Sequence, residues 1–353
     1  MATTDHDERA DEDEAPGWDA ISAAFEALYG AGEPAGHWGA VPPPPLGGPP
    51  LQGVSAYSSN LERPHWHYVS YGLTELFQKE SETANVSGFG FELTFRLAKS
   101  PGEEAPPLWP VNLLQNLARY VVTTGNVFSS GHHLPTNGPI QHGGTTVLKA
   151  LAFGNDPALP AQESPHGSFE FVQLFGITLD ELDAIYLWNT ESFLEQARAS
   201  TALLITDLAR DSFLADAAFA AQAQALAERE GSNCGVLHEP GFGFSKPWGR
   251  KPTIRLCAGE VALLKQLIPR RLRHGHPLNL IGSEKTVRLE PGPEQSQRQD
   301  GSVLTVVLTE RDVAALVATL APRAGRYVAA GLTWIVEESV IKDQEGNVIA
   351  ELG

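Results

Sequence analysis

Apolar and polar positions alternate with a period of two from Ser87 to Leu97. Phe89, Phe91, Leu93, Phe95 and Leu97 fall on one side, and Gly90, Glu92, Thr94 and Arg96 on the other. The pattern predicts a strand with one face in a core and the other in polar surroundings. Further strands are predicted over 65–71, 169–175 and 202–206. Elsewhere the spacing is helical. Trp18, Ile21, Ala24, Phe25, Leu28 and Tyr29 form one stripe, and Val111, Leu114, Leu117, Ala118 and Val121 form a second. The second stripe starts at Pro110, which a first helical turn tolerates, and stops at Gly125. Thr178 and Glu181 have capping-box spacing and open a third helix through Leu182, Ile185, Tyr186 and Phe193. The Ala-rich run 212–229 gives a fourth. Beyond it come strands at 253–257, 277–281, 285–289, 303–308 and 332–340, a helix after 308 that Thr309 can cap, and a hairpin-like turn at Glu345-Gly-Asn347. A mixed α/β fold follows from this succession of elements.

The pattern lapses twice. Residues 39–53 contain Pro42-Pro-Pro-Pro45 and Pro49-Pro50, which cannot continue a helix and read as an extended surface connection. Residues 235–252, with Gly241-Phe-Gly-Phe-Ser-Lys-Pro-Trp-Gly249, read as a domain boundary. At 353 residues the chain is long enough for two domains. The expected division is a disordered acidic tail at 1–14, an N-terminal domain at 15–240 and a C-terminal domain at 252–353.

Hydrophobic residues make up 42% of the chain and charged residues 19%, ordinary proportions for a globular protein. No apolar run approaches the ~18 residues that a membrane-spanning helix needs. Met1 to Glu14 has neither a basic start nor an apolar core, so a cytoplasmic location is expected. The net charge of -18, without a Lys/Arg block, argues against nucleic acid or an anionic membrane as partner. Cys234 and Cys257 are the two cysteines, and neither belongs to a CxxC pattern, so both are expected as reduced thiols.

Catalytic signatures are absent: there is no GxSxG elbow, HExxH, P-loop or GxGxxG after a strand. No catalytic residue, cofactor or resident metal is therefore expected. The histidines keep one alternative open. His65 and His67 share a strand face, and His132, His133 and His142 lie in a later loop, so an enzyme or metal-binding protein could draw on His65, His67, His132 and His133. Packing and hydrogen bonding are the plainer roles for imidazoles that flank Trp66. Glu92 and Arg96 share a face of their strand; they could pair with each other, satisfy neighbouring strands or line a groove.

His65-Trp-His-Tyr-Val-Ser-Tyr-Gly-Leu73, the 87–97 strand, Pro106-Pro-Leu-Trp-Pro110 and Asn116-Leu-Ala-Arg-Tyr-Val121 together resemble the Suppressor of fused family. Pro16-Gly-Trp-Asp-Ala-Ile21, Gly176-Ile-Thr-Leu-Asp-Glu-Leu182, Trp188-Asn189, Ile205-Thr-Asp207 and Gly231-Ser-Asn233 continue the likeness in order. Arg270-Arg-Leu-Arg-His-Gly275 and Val306-Val-Leu-Thr-Glu-Arg311 extend it more weakly. The resemblance implies two mixed α/β domains that form a clamp around a cleft. In animal members the clamp holds a segment of a Gli-type transcription factor as an added strand. It also implies a non-enzymatic protein that binds a protein or peptide partner. The family's peptide-contacting tyrosine corresponds to Tyr120, and its contacting aspartate to His132, where an imidazole replaces a carboxylate. The long insertion of the animal second domain is missing, which points to a bacterial-type member. Similar bacterial domains beside toxin genes look like immunity proteins, and an acidic surface suits the masking of a basic site.

Overall fold

The computed structural model describes residues 14–39, 50–239, 241–245, 251–342 and 348–352. The acidic tail, most of the proline-rich connection, part of the 235–252 stretch and the turn at Glu345-Gly-Asn347 lie outside the described residues. Contacts divide the chain into two compact units: residues 1–178 with 194–211, and residues 179–193 with 212–353. The 235–252 stretch, expected as the boundary, falls inside the second unit.

In the first unit, α1 (Pro16–Tyr29) precedes β1 (Gly36–Gly39), β2 (Gly53–Ser59), β3 (His65–Tyr71) and β4 (Val86–Ala98). α2 (Trp109–Thr124) follows, then β5 (His133–Pro135), β6 (Ala150–Asn155), β7 (Gln162–Ser164) and β8 (Gly167–Ile177). These strands form one eight-stranded sheet in the order β1-β2-β3-β4-β8-β6-β5, with β7 also paired to β8. β4 and β8 run parallel at its centre, and the other pairings are antiparallel.

Both faces of the sheet are covered. Phe91, Leu93, Phe95 and Leu97 pack with Trp66, Tyr68 and the α2 stripe of Val111, Leu114, Leu117, Ala118 and Val121. On the other face, Ile21 and Phe25 of α1 meet Tyr57, Val69, Tyr71 and Phe171. The period-two pattern of β4 therefore does not separate core from solvent: Glu92, Thr94 and Arg96 are fully buried. Phe89 leaves the pattern and is exposed, because Gly88 and Gly90 adopt positive φ and the β4–β8 register shifts between Val86 and Phe91. The 202–206 segment forms a turn and a single bridge from Thr206 to Leu97 instead of a strand. The capping-box helix is interrupted, with α3 (Leu179–Tyr186) ending before α4 (Thr190–Ala197). Asn189 accepts the Ser192 amide at 2.6 Å and restarts the helix.

The second unit contains α5 (Ala217–Glu230), β9 (Val236–His238), β10 (Gly243–Ser245), β11 (Thr253–Cys257) and α6 (Ala258–Leu272). Then come β12 (Leu278–Ile281), β13 (Thr286–Pro291), β14 (Ser296–Asp300), β15 (Val303–Leu308), α7 (Glu310–Thr319), β16 (Gly325–Ala329), β17 (Leu332–Glu337), β18 (Ser339–Lys342) and β19 (Val348–Leu352). Its sheets run β10-β11-β17-β16 and β14-β15-β13-β12-β9, beside a β18–β19 hairpin. α6 supplies Val261, Leu264, Leu267 and Ile268 to a core with Ile254, Leu280, Leu289, Val306 and Trp334. Thr309 and Asp312 close a reciprocal capping box at the start of α7. The molecule is thus a mixed α/β protein, and no helix of the described residues is long and apolar enough to cross a membrane.

Candidate functional site

The polar face of β4 lies beneath α1, where water cannot satisfy it, so each group needs a protein partner. Arg96 grips Asp156 with two parallel bonds, Nη1 to Oδ2 at 2.8 Å and Nη2 to Oδ1 at 2.9 Å. Thr94 Oγ1 donates to the same carboxylate at 2.9 Å, and the Ala158 amide adds a fourth bond at 2.9 Å. His67 Nε2 donates to Asp156 Oδ2 at 3.0 Å, so in the neutral ring Nδ1 accepts the Tyr29 hydroxyl at 2.8 Å. Gln173 accepts from Arg96 and donates to the carbonyls of Leu203 and Leu204.

Burial, helped by Arg96, pushes the His67 imidazole down to about 4, so it is neutral near pH 7. Burial pushes Asp156 upward, but the bonds from His67 and Arg96 prevail and hold its carboxyl well below the usual carboxylate range. A Tyr-His-Asp chain looks like acid-base machinery. With the His67 and Asp156 side chains inaccessible to solvent, it ties Tyr29 of α1 to the sheet instead.

Glu92 does not pair with Arg96, contrary to one expectation for that strand face. Its Oε1 accepts the amides of Gly72, Leu73 and Thr74 at 2.9, 3.0 and 2.9 Å, while Ser70 and Thr74 donate hydroxyls. Burial raises its carboxyl to about 7 against these bonds. The acceptor thereby fixes the turn after β3, where Gly72 needs φ of 127°.

Tyr120 and His132 are linked through Phe128 and Phe153 at the β5 end of the sheet. Tyr120 lies in the last turns of α2, which Gly125 ends in a left-handed cap, its amide reaching Val121 O at 2.8 Å. The Tyr120 ring is 44% exposed, and its hydroxyl accepts from Asn126 Nδ2 at 3.0 Å. Its inner edge meets Phe128 with centroids 5.6 Å apart, and Phe128 stacks on Phe153 of β6 at 4.4 Å. The Phe153 amide donates to His132 O at 2.9 Å, and the Gly131 amide to Phe153 O at 3.0 Å. One chain of aromatic contacts thus links α2 to His132, the residue just before β5. His132 is exposed; its Nδ1 accepts the Ser129 amide at 3.3 Å, which leaves Nε2 as the donor of the neutral ring, 3.4 Å from Ser129 Oγ.

The segment carrying His132 and His133 was expected as a loop. In the structure, His133–Pro135 pairs with β6 and is the terminal strand of the sheet. In the second unit, β9 likewise ends its sheet, and Val236 is exposed.

The histidine group is not assembled. His65 Nδ1 donates to Arg63 O at 2.8 Å, His67 belongs to the Asp156 network, and His132 and His133 lie at the β5 edge. Among the described residues no group of three or more His, Cys, Asp or Glu could hold a metal ion. Sequence reasoning missed Asp156, whose signal is local: Asn155-Asp-Pro157 has turn chemistry, and the Asp156 carboxylate does accept the Ala158 amide.

The family model described as Suppressor of fused protein (SUFU) matches residues 47–211. The human Suppressor of fused homolog is 40% identical over 181 residues, covering 47% of this chain and 37% of that protein. The mouse homolog gives the same values. The chain thus matches well under half the length of these relatives. The crystal structure of Drosophila Suppressor of Fused superposes with a TM-score of 0.77 at 24% identity, covering 92% of this chain and 98% of that one, which establishes the shared fold. A chain from the crystal structure of the Sufu-Fu complex matches with a TM-score of 0.55 at 29% identity, covering 61% of this chain and 98% of that one.

Proposed function

From the Suppressor of fused domain in residues 47–211, we propose that this protein is a non-enzymatic binding protein that captures a partner peptide as an added strand along β5. One observation carries the reading: Tyr120 at the end of α2 and His132 just before β5 are linked through Phe128 and Phe153 at a terminal strand. Strand addition draws affinity from main-chain hydrogen bonds and specificity from neighbouring side chains. Tyr120 supplies apolar area with a polar tip, and His132 supplies a donor. The solved Sufu-Fu complex supports a protein partner.

In this role the protein sequesters or inhibits its partner. Immunity to a bacterial toxin is the specific form favoured by the net charge of -18, because an anionic inhibitor is steered toward a basic nuclease-like surface.

The test begins with peptides selected on the full chain from an unbiased displayed library. Their affinities are then measured by calorimetry on wild type, Tyr120→Ala and His132→Ala. Loss of Tyr120 should cost ~2 kcal/mol, about thirtyfold in affinity, with an unchanged melting temperature. Wild-type affinity in both folded variants would refute binding at this edge.

A further inference from the structure

The charge of the chain is distributed in a way that its total conceals. Asp and Glu number 43 in 353 residues, about one position in eight, yet none occurs from Ala105 to Asn155. That acid-free span is the part of the sequence that builds α2, β5, β6 and the loops between them. It includes Arg119 and Lys149, both exposed, together with His132 and His142.

The paired stretches of β6 and β8 carry no carboxylate, and acidic positions follow only beyond them, at Asp180 and Glu181 after Ile177 and at Asp211 beside Arg210. β5 lies against Ala150–Ala152 of β6, whose other side pairs with Phe175–Ile177 of β8. There Arg210 donates to Gly176 O at 2.7 Å and stands over the Phe175 ring. Glu170 is five positions back along β8, about 17 Å at ~3.4 Å per residue. Asp156 is buried in its bond to Arg96, and Asp207 is paired with Arg63 at 2.9 Å.

We propose that the β5 edge selects an acidic segment of a partner protein, with a carboxylate placed to accept from His132 and with Arg119 and Lys149 supplying positive charge in the same acid-free span. This rests on β5 being the peptide-binding edge and names the chemistry of its occupant. The whole-chain charge opposes such a ligand, but at physiological salt fields are screened within about 8 Å, so the local groups decide. The partner's contact segment is then opposite in sign to the basic surface that the total charge of -18 would suggest.

The experiment compares the charge of peptides selected on the full chain, then measures their binding by fluorescence anisotropy on wild type, the Arg119→Glu/Lys149→Glu double variant and Tyr120→Ala. The expected peptides carry net negative charge, and their affinity falls about tenfold both with charge reversal and with a rise to high salt, as charge-steered contacts do. Basic control peptides should gain affinity for the double variant. Peptides that lose affinity on Tyr120→Ala but are neutral or basic overturn the acidic segment and leave the edge standing. Peptides indifferent to Tyr120→Ala overturn both. Two further results overturn a separate partner. Acidic peptides that bind only after deletion of residues 1–13 assign the surface to the chain's own tail, and a dimer broken by the double variant assigns it to a second copy.

Discussion

Two regions of the first unit carry histidines beside hydrogen-bonding partners, and they differ in access and in saturation. Beneath α1, His67, Asp156, Arg96, Thr94 and Gln173 are buried and bonded to one another, and among these side chains Arg96 Nε lacks a partner within the described residues. At the β5 edge, Tyr120 and His132 are exposed, and their side chains hydrogen-bond Asn126 and Ser129 among the described residues. The first arrangement has the residue types of catalysis and acts as structure, because its capacity is filled from within. The second has ordinary residue types at the end of α2 and just before an edge strand, and both are exposed.

The largest expected effect comes from breaking the buried region. Asp156→Ala leaves the Arg96 guanidinium buried without its counter-charge, which typically costs ~3 to 5 kcal/mol. Denaturant unfolding measures it, and a loss below ~1 kcal/mol would mean that solvent reaches Arg96. Phe95→Ala should cost a similar ~3 to 5 kcal/mol, whereas the exposed Phe89→Ala should stay within ~0.5 kcal/mol. Equal losses at the two phenylalanines would contradict the break in alternation at Gly88 and Gly90.

Sequence patterning made the α1, α2, β3, β4 and β8 elements legible, because each has a long apolar stripe. It also nominated Tyr120 and His132, through the family likeness. It could not reveal that the polar side of β4 is covered, since period two looks the same whether the second face meets water or a helix. β5 has three residues, too short for any period, and becomes a strand only by pairing with β6. α6 escaped because Pro269 lies within it and strands flank it on both sides. Asp156 is far in sequence from Arg96, and no spacing rule joins them.

A smaller effect should appear in pH dependence. Burial and Arg96 push His67 from 6.5 to about 4, and burial and His132 do the same for His133. The unfolded chain takes up these protons first, so the two groups remove stability as pH falls from 6.5 toward 4. Glu92 acts in the opposite sense. Burial raises it from 4.5 to about 7, the unfolded chain releases its proton first, and stability falls as pH rises through that window. The two trends oppose each other where they overlap. Glu92→Gln should remove only the second, so its stability should climb more steeply than that of wild type between 4.5 and 6.5. Parallel stability curves for the two proteins would show that Glu92 does not titrate in that range.

The most direct measurement of the contrast is hydrogen exchange on the full chain with and without a saturating selected peptide. Binding along β5 predicts slowed exchange confined to the amides around 131–136 and the end of α2 near Tyr120, with those of β3 and β4 beneath α1 unchanged. Protection that spares 131–136 and appears elsewhere would contradict β5 as the binding edge.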